Sequence, residues 1–340
     1  MQWFTRASSQ ASVVNGIAVA LGFYWPMMTA GLGRAVMITA LTLALLWINV
    51  RGIRHSSWVV NALTIGKLLP LGLFIAIGVF FVDPSHFTPL PPVTWGQASA
   101  AALLLIFVFG GYDVVPVPAG EARDPRRHVP FALVTTILVV TAVMTLAQVV
   151  AMGTLAEVGA TKTPLADASL VFMGGAGALL ISAGSVVSMT GNNAGQVLTG
   201  SRMLFALAEN GELPRWFGRI HPDFRTPSNA VIFTALVALA LALSGSFAVL
   251  AVASAVARLI TYTGACAATL RLRSPRFEAR VKPATFVIPL GPLVPVLAIG
   301  VSMAILAGAS REQLVGGLAA LAVGAALFAL NDRLVRVRNL

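Results

Sequence analysis

Of the 340 residues, 57% are hydrophobic and only 10% charged, with a mean hydropathy of +0.86; soluble domains carry about 25% charged residues, so a water-facing globule is excluded. The net charge of +11 does not mark a nucleic-acid binder, because the basic residues sit at the ends of apolar stretches rather than on one face. A single cysteine, Cys266, excludes a disulfide framework, and the four histidines (His55, His86, His128, His221) lie in connections with no H-E-x-x-H pair, so there is no metal centre and no call for a cofactor.

The charged residues cluster between charge-free runs of 27, 29, 34, 32 and 28 residues, each longer than the roughly 20 needed to span a bilayer as a helix. The first apolar run, to Ala30, is too long for a signal peptide and more spans follow, so it reads as a true span. Cutting at charges, prolines and glycine-serine breaks predicts ten transmembrane helices: 12–30, 35–50, 57–82, 98–119, 130–153, 173–203, 229–244, 247–270, 285–307 and 312–331. Residues 1–11 and 332–340 are then cytoplasmic tails. With the N-terminus inside, 18 Lys and Arg fall in the cytoplasmic connections, Arg6 among them, and only Arg34, Lys162 and Arg311 fall outside. That asymmetry predicts a multi-pass protein of the plasma or inner membrane with both termini cytoplasmic. Trp25, Trp47, Trp58 and Trp95 near helix ends fit interfacial anchors.

Ionisable groups inside spans are costly, and three are expected: Lys67, Asp113 and Arg258. Lys67 lies about ten residues into helix 57–82, roughly 15 Å deep at 1.5 Å per residue, near the midplane. Pro70 frees the carbonyl of Gly66 one turn away, and a desolvated lysine there loses preference for its charged form, which suits proton exchange. A structural ammonium pinned to helix carbonyls is the alternative. Asp113 follows Phe107-Val108-Phe109-Gly110-Gly111-Tyr112 and precedes Pro116 and Pro118, a pattern that argues for a broken helix beside a cavity or, alternatively, for glycines that let helices pack closely. Asp113 is the one carboxylate placed within a span, so an Asp113–Arg258 pair is expected. Helix 173–203 carries Gly184-x-x-x-Ser188 and Gly191-x-x-x-Gly195, a spacing for close helix packing, with Asn192 and Asn193 beside it as candidates to line a polar path.

From residue 10 to 335 the chain resembles the amino acid–polyamine–organocation superfamily of secondary transporters. Three segments carry the resemblance: Asn49-Val50-Arg51-Gly52 with Leu63 to Pro70; Phe109 to Asp113 with Gly120-Glu121-Ala122-Arg123-Asp124-Pro125; and Gly200-Ser201-Arg202-Met203-Leu204-Phe205-Ala206 with Asn210-Gly211-Glu212-Leu213-Pro214. The resemblance implies an all-α membrane fold of two inverted five-helix repeats, with residues 12–82 belonging to the first, 98–270 forming the second, and 285–331 adding two helices. It implies a substrate-binding segment at Phe107, Phe109, Gly110, Gly111 and Tyr112, with Phe107 as an aromatic gate. Lys67 then matches the lysine that takes a sodium ion's place in proton-coupled members, with Ser185 and Ser188 as neighbours, and Asp113 matches an acidic position. The family has twelve helices and this sequence shows ten; the region to Ala30 matches the third, and the glycine-rich motif of the first helix is absent. The expected function is proton-coupled uptake of amino acids or related amines by alternating access, with small-molecule substrate, protons and the bilayer as partners and no nucleic acid. The alternative is a truncated, transport-inactive membrane protein or interaction partner. A channel lacks a selectivity filter or charge ring, and an enzyme lacks catalytic groups within the spans.

Overall fold

The computed structural model describes residues 1–51, 56–88, 92–114, 124–274, 277 and 290–311, and seven positions between 314 and 326. Among the described residues the secondary structure is entirely helical: α1 Gln2–Leu21, α2 Gly31–Arg51, α3 Ser56–Gly78, α4 Trp95–Val108, α5 Pro125–Thr154, α6 Pro164–Glu209, α7 Ser228–Ser244, α8 Phe247–Leu272 and α9 Leu293–Ala307, with short 3-10 turns between them. Among the described residues four helices are long and apolar enough to cross a membrane, namely α2, α5 from Arg127, α6 and α8, and shorter apolar helices lie at Gly66–Phe81, Trp95–Val108, Ser228–Ser244 and Leu293–Ala307. Large apolar side chains face outward, with Phe80 85%, Phe131 70% and Leu138 65% exposed. That is the surface of a multi-pass protein whose solvent is lipid. Most of the expected span 312–331, the segment 115–123 and the C-terminal tail lie outside the described residues.

Several bounds differ from the sequence expectation for identifiable reasons. Helix α1 begins ten residues before 12 and ends at Leu21, because the polar run Thr5-Arg6-Ala7-Ser8-Ser9-Gln10 is packed inside the protein rather than solvated. Arg6, expected in a cytoplasmic tail, is 1% exposed within this helix. The span predicted as 98–119 stops at Val108, at the glycine pair. In α6 the backbone leaves helical geometry at Gly174 (φ 66°), so the helix that follows starts close to the predicted 173, after a short helical segment from Pro164. That segment is tethered at its start by Asp167, which accepts hydrogen bonds from the Thr161 and Thr163 hydroxyls.

The described residues fall into two compact units. One comprises Met1–Thr5, Val93–Val140 and the chain from Ala251 onward; the other comprises Arg6–Pro92 and Thr141–Leu250. In the second unit, α3 packs on α6, and α2 on α6 and α7. Its cores are built from small and branched residues: Phe74 with Ala147, Val150, Ala151, Ala168 and Ile181, and Ala11 with Val14, Ile38, Ala242 and Leu250. Small side chains let backbones approach closely, which is what holds helices together where apolar burial drives nothing. Pro70 of α3 sits against Gly184, where an added Cβ would meet the proline Cγ at 2.9 Å; the small-residue spacing on α6 is thus used for packing there. In the first unit, Leu103 of α4 packs with Val252, Ala255, Val256 and Leu259 of α8.

Arg34, expected in an external connection, is inside α2 and ties three segments of the second unit together. Its guanidinium donates to Asn15 Oδ1 (3.0 and 2.7 Å), to the carbonyl of Ala242 (2.9 Å) and to that of Gly245 (2.6 Å), and Asn15 Nδ2 also reaches the Ala242 carbonyl (3.0 Å). A cation on the last carbonyls of α7 complements the helix dipole and satisfies acceptors that have no intrahelical partner. Hydrogen bonds from a charged donor are worth about 1.5–3 kcal/mol each. Arg34→Gln is therefore expected to destabilise the fold by about 2–4 kcal/mol, read as a lower midpoint of thermal unfolding in detergent; an unchanged midpoint would show that the tie contributes nothing.

Candidate functional site

The first candidate region lies in the unit that holds α4 and α8. Helix α4 starts with a capping box, in which the Thr94 hydroxyl accepts from Gln97 N–H and the Gln97 side chain accepts from Thr94 N–H. It ends as Phe109 N–H bonds the Leu105 carbonyl and Gly110 N–H turns in to Phe107 O at 3.0 Å. Gly111 then takes φ 128°, a conformation open to glycine and strained for any other residue. A single 3-10 turn, Tyr112–Val114, follows. The helix is therefore interrupted at Gly110–Gly111, as the glycine pair predicted.

Asp113 and Arg258 meet across this interruption. Arg258 Nη1 donates to Asp113 Oδ1 at 2.8 Å, and the same oxygen accepts Gly111 N–H at 3.1 Å. The side chains are 2% and 11% exposed, so both charges are withdrawn from water. Gly110 is the surface on which the guanidinium lies: a Cβ there would fall 2.6 Å from Arg258 Nη2. The glycine pair thus does two jobs, one residue admitting the arginine and the other making the turn. Tyr112 packs on Tyr262 of α8 with ring centroids 5.9 Å apart. Phe107 is half-buried against the Leu103 and Leu259 core, and Phe109 is half-buried at the helix end. Gly110→Ala is expected to push the guanidinium off Asp113 and lower the midpoint of thermal unfolding in detergent, while Gly96→Ala near the start of α4, with open space around it, leaves the midpoint unchanged. Equal effects of the two would contradict a specific role for Gly110.

The second region lies in the other unit. A cavity of about 260 Å³ is lined by Lys67, Pro70, Leu71, Met144, Ala147, Leu165, Ile181, Gly184, Ser185, Ser188 and Met189. The lysine and both serines singled out from sequence thus share one cavity wall. Lys67 itself is exposed, beside exposed Gly66, Leu68 and Leu69, and among the described residues it makes no ion pair or hydrogen bond. The desolvation expected from its depth is thus not supplied by protein packing; Pro70, one turn on, is the buried residue. A neighbouring cavity of about 270 Å³ opens between Gly16, Lys162, Ser182, Ser185, Met189 and Phe247. Among the described residues no group of three or more His, Cys, Asp or Glu is placed to hold a metal ion.

The buried amides Gln10 and Gln196 were not singled out from sequence, and Arg34 was assigned to a connection rather than to its tie with Asn15, Ala242 and Gly245. Gln10 belongs to the polar run from Thr5 to Asn15, which is buried although by composition it matches a solvated tail.

The amino acid permease family model matches residues 1–328. The chain belongs to the amino acid permease family. It is 31% identical over 311 residues to the serine/threonine exchanger of Bacillus subtilis (strain 168), covering 86% of this chain and 70% of that protein. It is 26% identical over 254 residues to the methylthioribose transporter of the same organism, covering 74% of this chain and 54% of that one. A third relative there, the branched-chain amino acid permease, is 28% identical over 198 residues, 57% of this chain and 42% of its own length. The chain therefore spans about half the length of the latter two. Family and relatives are transporters rather than enzymes, which places this permease among multi-pass membrane proteins that handle small molecules.

Proposed function

We propose that this permease is a secondary transporter carrying amino acids or related amines together with protons by alternating access. It sits in the cell membrane with both termini cytoplasmic, as the excess of basic residues in the connections assigned to that side supports. The observation that carries the reading is the helix interruption at Gly110–Gly111 in a chain of this family. Non-helical backbone inside a bilayer is tolerated only where it is buried in protein or lines a cavity, and such breaks are where transporters hold polar ligands. Phe107, Phe109 and Tyr112 flank that segment and supply apolar contact to the rest of the substrate. The resemblance supports two inverted repeats, 12–82 within the first and 98–270 the second, around it.

Coupling to protons is assigned to Lys67, with Ser185 and Ser188 beside it. Deep in the bilayer an ammonium carries a large solvation penalty that its neutral amine does not, so gain and loss of one proton changes which conformation is preferred. The Asp113–Arg258 pair acts as a latch on the interrupted segment, since it holds one conformation of Gly111 by a hydrogen bond.

The test is saturable binding of labelled amino acids by the purified 340-residue chain. The names of the relatives supply the panel: L-serine, L-threonine, L-leucine, and methylthioribose as the non-amino-acid comparison. Saturable binding of at least one amino acid, lost in Gly111→Leu, is expected. A folded chain that binds no amino acid or amine would overturn the reading in favour of a transport-inactive membrane protein.

A further inference from the structure

Along α6, Ser185, Ser188, Asn192 and Gln196 recur at spacings of three and four, which sets them in one row on the helix. The upper end of the row is in the wall of the Lys67 cavity. Further along, Gln196 Nε2 donates to Asn192 Oδ1 at 3.4 Å and to Ser9 Oγ of α1 at 3.3 Å. The row therefore leaves an exposed face at Asn192 and enters the buried contact between α6 and α1.

Gln196 Oε1 and both amide atoms of Gln10, which follows Ser9 on α1, and of Asn193, three residues before Gln196 on α6, are buried with no hydrogen bond among the described residues. Gln10 is 1% exposed and Asn193 0%. Buried polar groups in a stable interior are hydrogen-bonded, and those without a protein partner are met by ordered water or an ion. A carboxamide presents a donor and an acceptor together. A cation would satisfy its oxygen alone and an anion its nitrogen alone, whereas water satisfies both.

The direction of the row gives this water a use. Gln196 lies eight residues past Ser188, about 12 Å nearer the end of α6 at Glu209. Ser9 and Gln10 lie near the start of α1 at Gln2. In the orientation proposed above, both of those ends are cytoplasmic. We infer that Ser9, Gln10, Asn193 and Gln196 hold a chain of internal waters through which Lys67 exchanges its proton with the cytoplasm. This rests on the reading of Lys67 as the coupling residue.

In the transfer an Nζ–H bond of the ammonium breaks and the proton joins a cavity water. Each water passes one proton to the next, and a cytoplasmic water receives the last, leaving Lys67 as a neutral amine. The amides only position the waters. Charged groups around the path are few: Lys67 is the one on α3, α7 has none, and α2 carries Arg34 and Arg51 near its two ends. Arg6 lies one turn before Gln10 on α1, and Arg202 is exposed beyond Gln196 on α6.

Gln196→Leu and Asn193→Leu keep side-chain volume and remove the amides. Both are compared with wild type and Lys67→Ala in proteoliposomes, by L-serine accumulation under a pH gradient and by exchange of labelled for unlabelled serine at equal pH. Each Leu variant is expected to lose about tenfold in gradient-driven accumulation rate with exchange within twofold of wild type, and Gln196→Asn, which keeps an amide, to retain most of the rate. Wild-type accumulation in both Leu variants would overturn the water path while the difference between wild type and Lys67→Ala keeps coupling at Lys67. A wild type indifferent to the gradient would instead remove the coupling reading, and the path with it. Should the Leu variants fail to fold, hydroxyl-radical footprinting of wild type decides: oxidation of Val197, buried next to Gln196, is expected, and its protection would overturn the proposal.

Discussion

Replacing Arg258 with Gln while Asp113 keeps its charge is expected to abolish uptake and to destabilise the chain by about 3–5 kcal/mol, the cost of leaving one member of a buried ion pair alone. Asp113→Asn should do the same from the other side, since it strands a guanidinium that is 2% exposed. The double substitution removes both charges, so its destabilisation should fall short of the sum by roughly 1–3 kcal/mol, and part of the uptake should return. The geometry behind this is specific. A single carboxylate oxygen receives both the guanidinium and the N–H of Gly111, so the pair sets the backbone at the interruption as well as balancing charge. Unfolding midpoints and initial uptake rates of the three variants, measured side by side, give the coupling directly; strictly additive losses would show that the pair does not act as a unit.

Lys67→Ala has the second large effect, and it is on energetics rather than on stability. A pH difference of one unit is worth about 1.4 kcal/mol per proton, so one-to-one coupling supports an accumulation ratio of about ten. Without a group to carry the proton the ratio falls to about one, although exchange of internal for external substrate continues. Lys67→Arg should resemble Lys67→Ala in this assay, because a guanidinium keeps its proton throughout the cycle. Since Lys67 is exposed within its unit and makes no contact that the fold depends on, neither variant is expected to shift the unfolding midpoint by much. An accumulation ratio in Lys67→Ala equal to that of wild type would place coupling elsewhere.

Much of this was legible in the sequence because the bilayer imposes strong rules. The charge-free runs predicted membrane helices, Gly110–Gly111 predicted the interruption, and the scarcity of carboxylates within spans predicted that Arg258 would find Asp113. The amphipathic start of α1 was not legible in the same way. Thr5, Arg6, Ser8, Ser9 and Gln10 look like a solvated tail by composition, and only the helices packed around them make a polar face interior. Arg34 was misplaced for a related reason: a lone arginine near a predicted helix end reads as a loop charge, and its three acceptors come from residues distant in sequence, Asn15, Ala242 and Gly245. The grouping of Lys67 with Ser185 and Ser188 rested on resemblance, since no local pattern joins α3 to α6. Lys67 lacks the protein burial its depth suggested, because periodicity reports distance along a helix and not which neighbour covers a face.

The most direct test of the account is accumulation of labelled L-serine by the 340-residue chain in liposomes, with the outside one pH unit more acidic than the inside. Accumulation of about tenfold over the external concentration is expected, abolished by a protonophore. Uptake that rises only to the external concentration, with or without the gradient, would contradict proton-coupled transport by this chain.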